Sequence, residues 1–441
     1  MGFGRRTTVV VGGSFAGRRV ASLLATGDPC LHEVVLVEEK GYTEFTPSIL
    51  RTLVEPGHPV WEPIQATGIP VKVVTGRAAG ASLCKDGQHQ GQLALADGRT
   101  LPYHFLVIAT GSSYLWPIKA GSGDEVKLST RKEAVSKAAE ELRSAGSIAV
   151  VGGGPVGVEL AAELAGKFGR SKNIVLLTNG SRLLQRMPQK AGYTASRWLR
   201  LAGVEVLHGA KVVQWPEGSR QRLCSGTLIT QSGREISADL TIDCTGVKLN
   251  TELYTSLVED REGGPEAAAE ASRQGIPVKP TLEVVGCPGV FACGDAAGVA
   301  AERTAYTADL MAVVVAKNIA LLVSRKDSKD AQKKLKEFPG GALSNAWLGQ
   351  GLQEAPSIAA ISLYKYDGIM QFNNLIITGP LAAGTKVMVE FFQLGIARGN
   401  TILSKLWLTL EAMNTVMAAL PLVLWHKWTE LKAFVQAYEA F

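Results

Sequence analysis

Short apolar runs and glycine-rich turns alternate near the start of the chain. The β-branched run Thr8–Val11 predicts a strand, and the run Val34–Val37 predicts a second one. Between them, apolar positions from Val20 to Leu24 have the spacing of a helix. The order of strand, glycine-rich turn, helix and strand, closed by Glu38, is that of a βαβ unit.

The same order returns about one domain length later. Ile148–Val151 predicts a strand, Val158–Leu164 a helix and Ile174–Leu177 the next strand. Two such units predict an α/β fold with two Rossmann-like domains built on parallel sheets. Three further apolar runs end in a glycine or an acid, as strands of such sheets do: Leu106–Gly111, Leu240–Gly246 and Val290–Asp295.

Beyond Pro339 the pattern changes to short strand-like runs and then a long apolar segment, which predicts an α+β domain with amphipathic helices. Pro421 is expected to break or kink the helical part. The apolar stripe before it consists of Leu403, Leu406, Leu410, Met413, Met417 and Leu420. A second segment carries Trp425, Trp428, Leu431, Val435 and Tyr438.

Three placements of these C-terminal helices fit their composition. Trp-rich amphipathic helices lie in membrane interfaces, which would make a membrane surface a partner. The stripe could instead pack on the protein's own body or on a second copy of the chain in a homodimer. Spanning a bilayer is the least favoured placement, because Lys405 and Glu411 interrupt the run.

Composition narrows the functional classes. The net charge of +6 is modest, and no basic block is interleaved with aromatic residues, so nucleic acid is not expected as a partner. The six cysteines and six histidines are scattered, without the spacing of a disulfide framework or a metal site. These features indicate an intracellular protein with reduced thiols and no metal.

The two glycine-rich turns carry the main chemical prediction. Free N–H groups at a helix start and the helix dipole favour a phosphate there, and glycines allow its close approach. Glu38 has the spacing of an acid that binds the adenosine ribose of FAD. The first turn has a serine where the middle glycine is expected, and consists of Gly12, Gly13, Ser14, Phe15, Ala16 and Gly17.

The second turn is a full match, with Gly152, Gly154 and Gly157. No acid follows its second strand, where Asn179 and Arg182 stand instead. Because an acid there would repel a 2′-phosphate and a guanidinium would accept it, NADPH is favoured over NADH.

The order of these motifs resembles the pyridine nucleotide–disulfide oxidoreductase superfamily. Along the chain, the first glycine-rich turn is followed by the strand end Thr110-Gly111, and the second turn by the strand ends Thr245-Gly246 and Gly294-Asp295. Val150–Leu164 and Cys244–Tyr254 are most similar to the apoptosis-inducing-factor-like, mitochondrion-associated branch, which includes ferroptosis suppressor proteins.

The resemblance implies roles for further residues. Thr110, Gly111 and Gly246 are expected to line the cofactor sites, and Asp295 to bind the ribityl or diphosphate part of FAD. Arg51 matches an arginine that contacts FAD. In addition, Ala78 matches a position whose backbone meets the adenine, and Glu159 a glutamate beside nicotinamide and flavin.

Two departures from related groups shape the expected reaction. The stretch Gly41–Leu50 lacks the cysteine pair of the disulfide reductases, so electrons cannot leave through an internal dithiol. The region Arg303–Asp309 also lacks the Gln-rich quinone motif of membrane NADH dehydrogenases. A diffusible quinone is the acceptor that the resemblance favours.

The sequence therefore predicts an FAD-dependent NAD(P)H:quinone oxidoreductase, peripheral on a cytoplasmic or organelle membrane. Two alternatives stay open: a flavin-bound docking subunit without catalysis, and a reductase of a small electron-carrier protein. The predicted domains are 1–114 with 240–330 for FAD, 115–239 for NAD(P)H, and 331–441 for the C-terminal domain.

Overall fold

The computed structural model describes residues 5–64, 71–84, 90–120, 124–217, 223–324, 334–343 and 346–439. The strands in chain order are β1 (Arg6–Val11), β2 (His32–Glu38), β3 (Tyr42–Glu44), β4 (Trp61–Pro63), β5 (Lys72–Thr75), β6 (Ala78–Leu83), β7 (Gly91–Leu95), β8 (Thr100–Tyr103), β9 (Phe105–Ile108), β10 (Ser112–Ser113), β11 (Ser147–Val151), β12 (Asn173–Leu177), β13 (Glu205–Leu207), β14 (Val212–Gln214), β15 (Cys224–Thr230), β16 (Glu235–Asp243), β17 (Lys248–Leu249), β18 (Val290–Ala292), β19 (Ile358–Leu363), β20 (Asp367–Phe372) and β21 (Leu375–Thr378). The α-helices are α1 (Phe15–Leu24), α2 (Ile49–Val54), α3 (Leu128–Ser144), α4 (Pro155–Phe168), α5 (Gln189–Leu201), α6 (Glu252–Val258), α7 (Gly264–Gln274), α8 (Ala305–Ser324), α9 (Ala346–Gly351), α10 (Pro380–Ala397) and α11 (Thr401–Glu439).

A parallel five-stranded sheet forms the first domain, in the order β18-β9-β1-β2-β5. Its strands are runs of Val, Leu and Ile that are buried on both faces, as in sheets covered by helices on each side. Helices α1 and α8 pack against each other in this domain, and β6–β8 form an antiparallel meander beside it. The carboxyl ends of β1, β9 and β18 meet at one edge.

The second domain contains a six-stranded sheet in the order β13-β12-β11-β16-β15-β14. Its first four strands are parallel and its last two are antiparallel. The predicted domain boundary at residue 240 falls inside β16, where Leu240 pairs with Ile148 of β11. The second domain therefore extends at least to Asp243, because a strand belongs to the sheet that satisfies its hydrogen bonds.

The two segments that connect the first domain to the second lie side by side. Strand β10 leaves the first domain and β17 returns to it, and Ser112 pairs with Leu249 in an antiparallel ribbon. Thr110 and Asn250 extend this contact, since the Thr110 hydroxyl donates to the Asn250 carbonyl and the Asn250 amide to the Thr110 carbonyl.

The C-terminal domain contains the antiparallel sheet β19-β20-β21, with α10 packed on it and α11 packed on α10. The predicted α/β class with two Rossmann-like domains and an α+β domain is thus confirmed. The expected break at Pro421 is wrong, since α11 continues through it, and the alternative expectation of a kink there stays a prediction. Pro421 and Met417 both lie on the exposed side of α11, so the proline ring does not press on the body.

Helix α11 has its apolar face outward. Leu406, Met413, Met417 and Leu420 of the predicted stripe are exposed, whereas Leu403 and Leu410 are half-buried. Most of the stripe is therefore not the face that packs on the body. Small and polar residues take that role: Glu411, Thr415, Ala418 and Ala419, together with Val423. By length and composition, α8 and residues 401–430 of α11 could cross a membrane, but α8 is largely buried, as a core helix would be.

A buried ionic cluster attaches α11 to the first domain. Arg19 Nε of α1 lies 3.0 Å from Asp309 Oδ1 of α8, and Arg19 Nη2 lies 3.6 Å from Glu411 Oε2 of α11. The hydroxyl of Tyr306 also donates to Thr415 Oγ1 at 3.1 Å. Burial raises the pKa of Asp309, and burial together with the Asp309 charge raises the pKa of Glu411 to about 9.

Candidate functional site

The first glycine-rich turn is held by backbone approaches that only glycine permits. Gly12 has φ +108°, and a Cβ there would lie 2.3 Å from the Ala109 carbonyl oxygen. A Cβ on Gly17 would lie 1.9 Å from the Gly12 carbonyl oxygen. Ser14 is exposed and its side chain makes no capping hydrogen bond, so it fits without displacing the turn. Phe15 and Ala16 open α1 directly behind it.

Glu38 turns its carboxylate into this turn. The Gly13 amide donates to Glu38 Oε2 at 2.5 Å, and the Lys40 amide donates to Oε1 at 3.0 Å. The Gly76 amide donates to the Glu38 carbonyl, which brings Ala78, the first residue of β6, to the same edge. The structure thus brings Glu38, Ala78 and the first turn together.

The second turn repeats the geometry of the first. Gly152 has φ +130°, and a Cβ there would lie 2.6 Å from the Cys244 carbonyl oxygen. A Cβ on Gly157 would lie 1.9 Å from the Gly152 carbonyl oxygen. Gly154 has no neighbour within 4 Å of a Cβ position, so this side of the turn is open to a ligand. Gly246 follows β16 with φ +72°.

Asp295 lies at the end of β18 and accepts a hydrogen bond from Ser112 Oγ at 2.7 Å. Lys119 Nζ donates to the Ser112 carbonyl and lies 3.3 Å from Ser112 Oγ. Burial lowers the pKa of Lys119 to about 8, against the attraction of Asp295. Sequence reasoning missed Lys119, since it follows a proline-containing loop without a motif. Thr110 and Gly111 lie beside this cluster, at the start of the β10–β17 ribbon.

The two residues predicted to select NADPH differ in whether their side chains are free to contact a ligand. Asn179 is exposed at the end of β12. Arg182, in contrast, donates to the backbone carbonyls of Leu184, Gln185 and Met187 at 2.6–2.9 Å. The structure therefore gives its guanidinium a role in shaping its own loop, which the sequence did not indicate.

Glu159 is buried on α4 and meets the C-terminal domain. Ser362 of β19 donates to Glu159 Oε1 through its amide at 2.7 Å and its hydroxyl at 3.2 Å. Lys386 of α10 forms an ion pair with the same oxygen and lies 3.0 Å from Ser362 Oγ. Sequence reasoning missed Lys386 and Ser362, because more than two hundred residues separate them from Glu159.

Arg51 of α2 forms a second ion pair with Glu163, which lies one helical turn after Glu159 on α4. Arg51 Nη2 lies 2.7 Å from Glu163 Oε1 and also donates to the Tyr364 carbonyl at 2.7 Å. Burial raises the pKa of Glu163, against the hydrogen bond and charge of Arg51. The spacing of four residues between Glu159 and Glu163 was a usable signal for a shared face.

These two ion pairs border one cavity of about 360 Å³ between α2, α4, β19 and α10. Its lining is mixed, with apolar side chains beside the charged and polar Arg51, Glu163, Ser362 and Lys386. Arg51 and Glu159 therefore belong to one region, while the first turn faces a separate cavity that shares none of these residues. The FAD contact predicted for Arg51 stays a prediction.

The cysteines offer no redox pair within the part of the chain that the structure describes. None of the six forms a disulfide there, and burial raises the pKa of Cys293 to about 12. Over the same residues, no group of three His, Cys, Asp or Glu side chains is arranged to hold a metal ion.

Comparison with known proteins gives consistent matches. Residues 6–319 match the family described as pyridine nucleotide-disulphide oxidoreductase. The chain is 29% identical over 341 residues to ferroptosis suppressor protein 1 of Taeniopygia guttata, covering 76% of this chain and 84% of that protein. It is 28% identical over 405 residues to apoptosis-inducing factor homolog B of Dictyostelium discoideum, covering 86% and 92%.

Solved structures share the fold. The sulfide:quinone oxidoreductase of Aquifex aeolicus aligns with a TM-score of 0.67 at 15% identity, covering 90% of this chain and 92% of that one. NDH2 of Plasmodium falciparum aligns with a TM-score of 0.65 at 14% identity, covering 93% and 98%.

Proposed function

The chain belongs to the pyridine nucleotide-disulphide oxidoreductase family, and we propose that it is an FAD-dependent NAD(P)H:quinone oxidoreductase that works at a membrane surface. Its similarity to ferroptosis suppressor proteins and apoptosis-inducing factor homologs agrees with the branch that the motifs indicated. The observation that carries the proposal is the pair of glycine turns with matching backbone geometry, one at the carboxyl end of an inner parallel strand, β1 or β11, in each of the two sheets.

The first turn fits FAD. Ser14 is exposed and lines a cavity, and the cradle formed by Gly12 and Gly17 leaves backbone amides at the start of α1 for a diphosphate. Glu38 would bind the adenosine ribose, with the backbone at Ala78 near the adenine, and Asp295 the ribityl end. When bound, FAD would supply hydride acceptance from the nicotinamide and electron transfer to the acceptor.

The second turn would hold the diphosphate of NAD(P)H at the open side of Gly154. Glu159 and Lys386 would position the nicotinamide end. Their charges neutralise each other, and Ser362 fixes the carboxylate by two hydrogen bonds. A carboxylate held in this way keeps one orientation.

The exposed apolar face of α11 supports a membrane-bound acceptor. Met417, Trp425 and Trp428 are each more than half exposed, which is costly in water and favourable at a lipid interface. Lys432 lies over the Trp428 ring at 5.3 Å, and such cation–aromatic neighbours suit the headgroup region. A quinone is an apolar acceptor that such a surface would reach.

Stopped-flow mixing tests the proposal. NADPH or NADH should bleach the flavin absorbance of the purified protein, and a short-chain quinone should restore it. Comparison of the two nucleotides decides the preference between them. A protein that retains flavin which neither nucleotide bleaches would contradict the proposal.

The variant Gly154→Asp tests directly whether the second turn binds a phosphate. No protein atom lies within 4 Å of the new Cβ, so the variant should fold, but its carboxylate would repel a phosphate. We expect flavin content to stay unchanged and nucleotide affinity to fall at least about tenfold, as for one opposed charge at close range. The matched control is Gly154→Asn, which has the same shape without the charge.

A further inference from the structure

A second cavity lies directly beside the first glycine-rich turn. It is a cleft of about 260 Å³, partly open to solvent, between α1, β3 and α10. Its lining includes Ser14 and Phe15 of the turn, Arg18 one helical turn further, Thr43 and Gln393. The cavity therefore adjoins the place where the turn would bind a phosphate.

Arg18 contributes an uncompensated positive charge to this cavity. Its guanidinium makes two long hydrogen bonds to neutral acceptors, Thr43 Oγ1 at 3.5 Å and Gln393 Oε1 at 3.3 Å. It forms no ion pair with any residue in the described part of the chain. Burial lowers its pKa to about 10, and no carboxylate opposes this shift.

The carboxylate that lines the same cavity is already engaged. Glu44 Oε2 lies 3.0 Å from Arg131 Nε and accepts a hydrogen bond from Trp61 Nε1 at 2.7 Å. Glu44 is therefore not available to Arg18, which stays without an ion pair. Because a half-buried charge without an ion-pair partner is costly, this arrangement favours an anionic ligand beside Arg18.

The position of Arg18 on α1 directs it to the turn. Its amide donates to the Ser14 carbonyl at 3.0 Å, so the two residues lie on one face of the helix. Side chains on a helix tilt toward its N-terminus, which brings the guanidinium back toward Ser14. The neighbouring Arg19 differs, since it is held by Asp309.

We propose that Arg18 binds the diphosphate of FAD, adding a charged contact to the anion site that the first turn makes with backbone amides. This inference rests on the proposed function. Ser14 replaces the glycine that would let the backbone approach a phosphate most closely, and Arg18 supplies an attraction that compensates for the added side chain. The long bonds to Thr43 and Gln393 are weak enough for a diphosphate to replace them.

The test is FAD binding to the full chain after its flavin has been removed. Arg18→Gln should weaken FAD affinity about tenfold to a hundredfold, the size expected for a hydrogen bond to a charged group. Arg18→Lys should recover part of this loss, and the salt dependence of binding should decrease in Arg18→Gln. The control is Arg143→Gln, which removes an exposed guanidinium on α3 and should leave FAD affinity unchanged.

Competition identifies the part of FAD that is recognised. ADP should displace FAD from the wild type better than adenosine does, and Arg18→Gln should reduce this advantage, while the backbone amides of the turn retain part of it. Equal FAD affinity in Arg18→Gln and the wild type would overturn the inference. A weaker FAD affinity that leaves the advantage of ADP intact would also overturn it, because Arg18 would then contact the flavin.

Two further outcomes distinguish a failure of this inference from a failure of the proposed function. A wild type that binds no FAD would refute the proposed function itself, whatever the variants do. If Arg18→Gln does not fold, Arg18→Lys decides the question, because the loss of the guanidinium geometry should weaken ADP binding and leave adenosine binding unchanged. Equal ADP affinity in Arg18→Lys and the wild type would then overturn the inference.

Discussion

The cluster of Arg19, Asp309 and Glu411 predicts a measurable pH dependence of stability. Two carboxyl groups share one guanidinium in a buried place, so the folded protein binds a proton there that the unfolded chain releases. The pKa of Glu411 is raised from 4.5 to about 9 on folding. Its contribution to the free energy of unfolding is therefore fully present below 4.5 and is lost as pH rises through about 9.

The size of the effect follows from linkage. Because the folded state binds one more proton than the unfolded chain, the free energy of unfolding falls by at most about 1.4 kcal/mol for each unit by which the pH rises. Between about pH 6 and about pH 8 the difference is at most about 2.7 kcal/mol. Glu411→Gln keeps a neutral side chain in the cluster at every pH and should remove this part of the slope.

The assay is urea unfolding of the full chain, followed by tryptophan fluorescence, at these two pH values. Glu270→Gln is the control, because it removes an exposed carboxylate of α7. The wild type and the control should lose stability with rising pH, and Glu411→Gln should lose less. The reasoning is refuted if Glu411→Gln shows the same pH dependence as the wild type.

Four other changes have defined outcomes. Lys386→Met leaves the Glu159 carboxylate buried without its cation, which should cost about 3 kcal/mol of folding free energy and slow flavin bleaching. Gly17→Ala places a Cβ 1.9 Å from a backbone oxygen, and the purified variant should contain little flavin by absorbance. Met417→Glu should reduce cosedimentation with anionic phospholipid vesicles about tenfold or more while NADPH still bleaches the flavin. Arg182→Ala should lower the melting temperature and weaken NADPH and NADH binding equally, because the guanidinium orders its loop.

Each of these variants has a control or a contrary result. Gly41→Ala is the partner of Gly17→Ala, since no atom lies within 4 Å of its Cβ, and it should keep its flavin. Tyr193→Glu changes an equally exposed apolar residue on α5 and should not affect vesicle binding. Adding Glu159→Gln to Lys386→Met should recover stability, and a further loss would argue against the ion pair. Loss of NADPH affinity alone in the Arg182 variant would restore its predicted role at the 2′-phosphate.

Local chemistry made the two glycine turns predictable. The positive φ of Gly12 and Gly152, and the close packing at Gly17 and Gly157, are demands of a single strand–turn–helix unit, so they appear as spacing in the sequence. The carboxylate of Glu38 follows from the same unit, since it ends the next strand.

Long-range packing was not predictable in the same way. Lys386 reaches Glu159 only because α10 folds back onto the second domain, and no local pattern encodes that approach. The spacing of the α11 stripe indicated an amphipathic helix but could not show which face meets the body. That choice depends on Arg19 and Tyr306, which lie far away in sequence and match the polar face of α11.

The paired crossing strands have a mechanical consequence. Because β10 and β17 are hydrogen-bonded to each other, neither connection between the first and second domains can stretch or twist by itself. A two-stranded ribbon bends most easily out of its own plane and resists sliding of one strand along the other. We therefore expect the two domains to move relative to each other by rotation about one axis, which would change the distance between their glycine-rich turns.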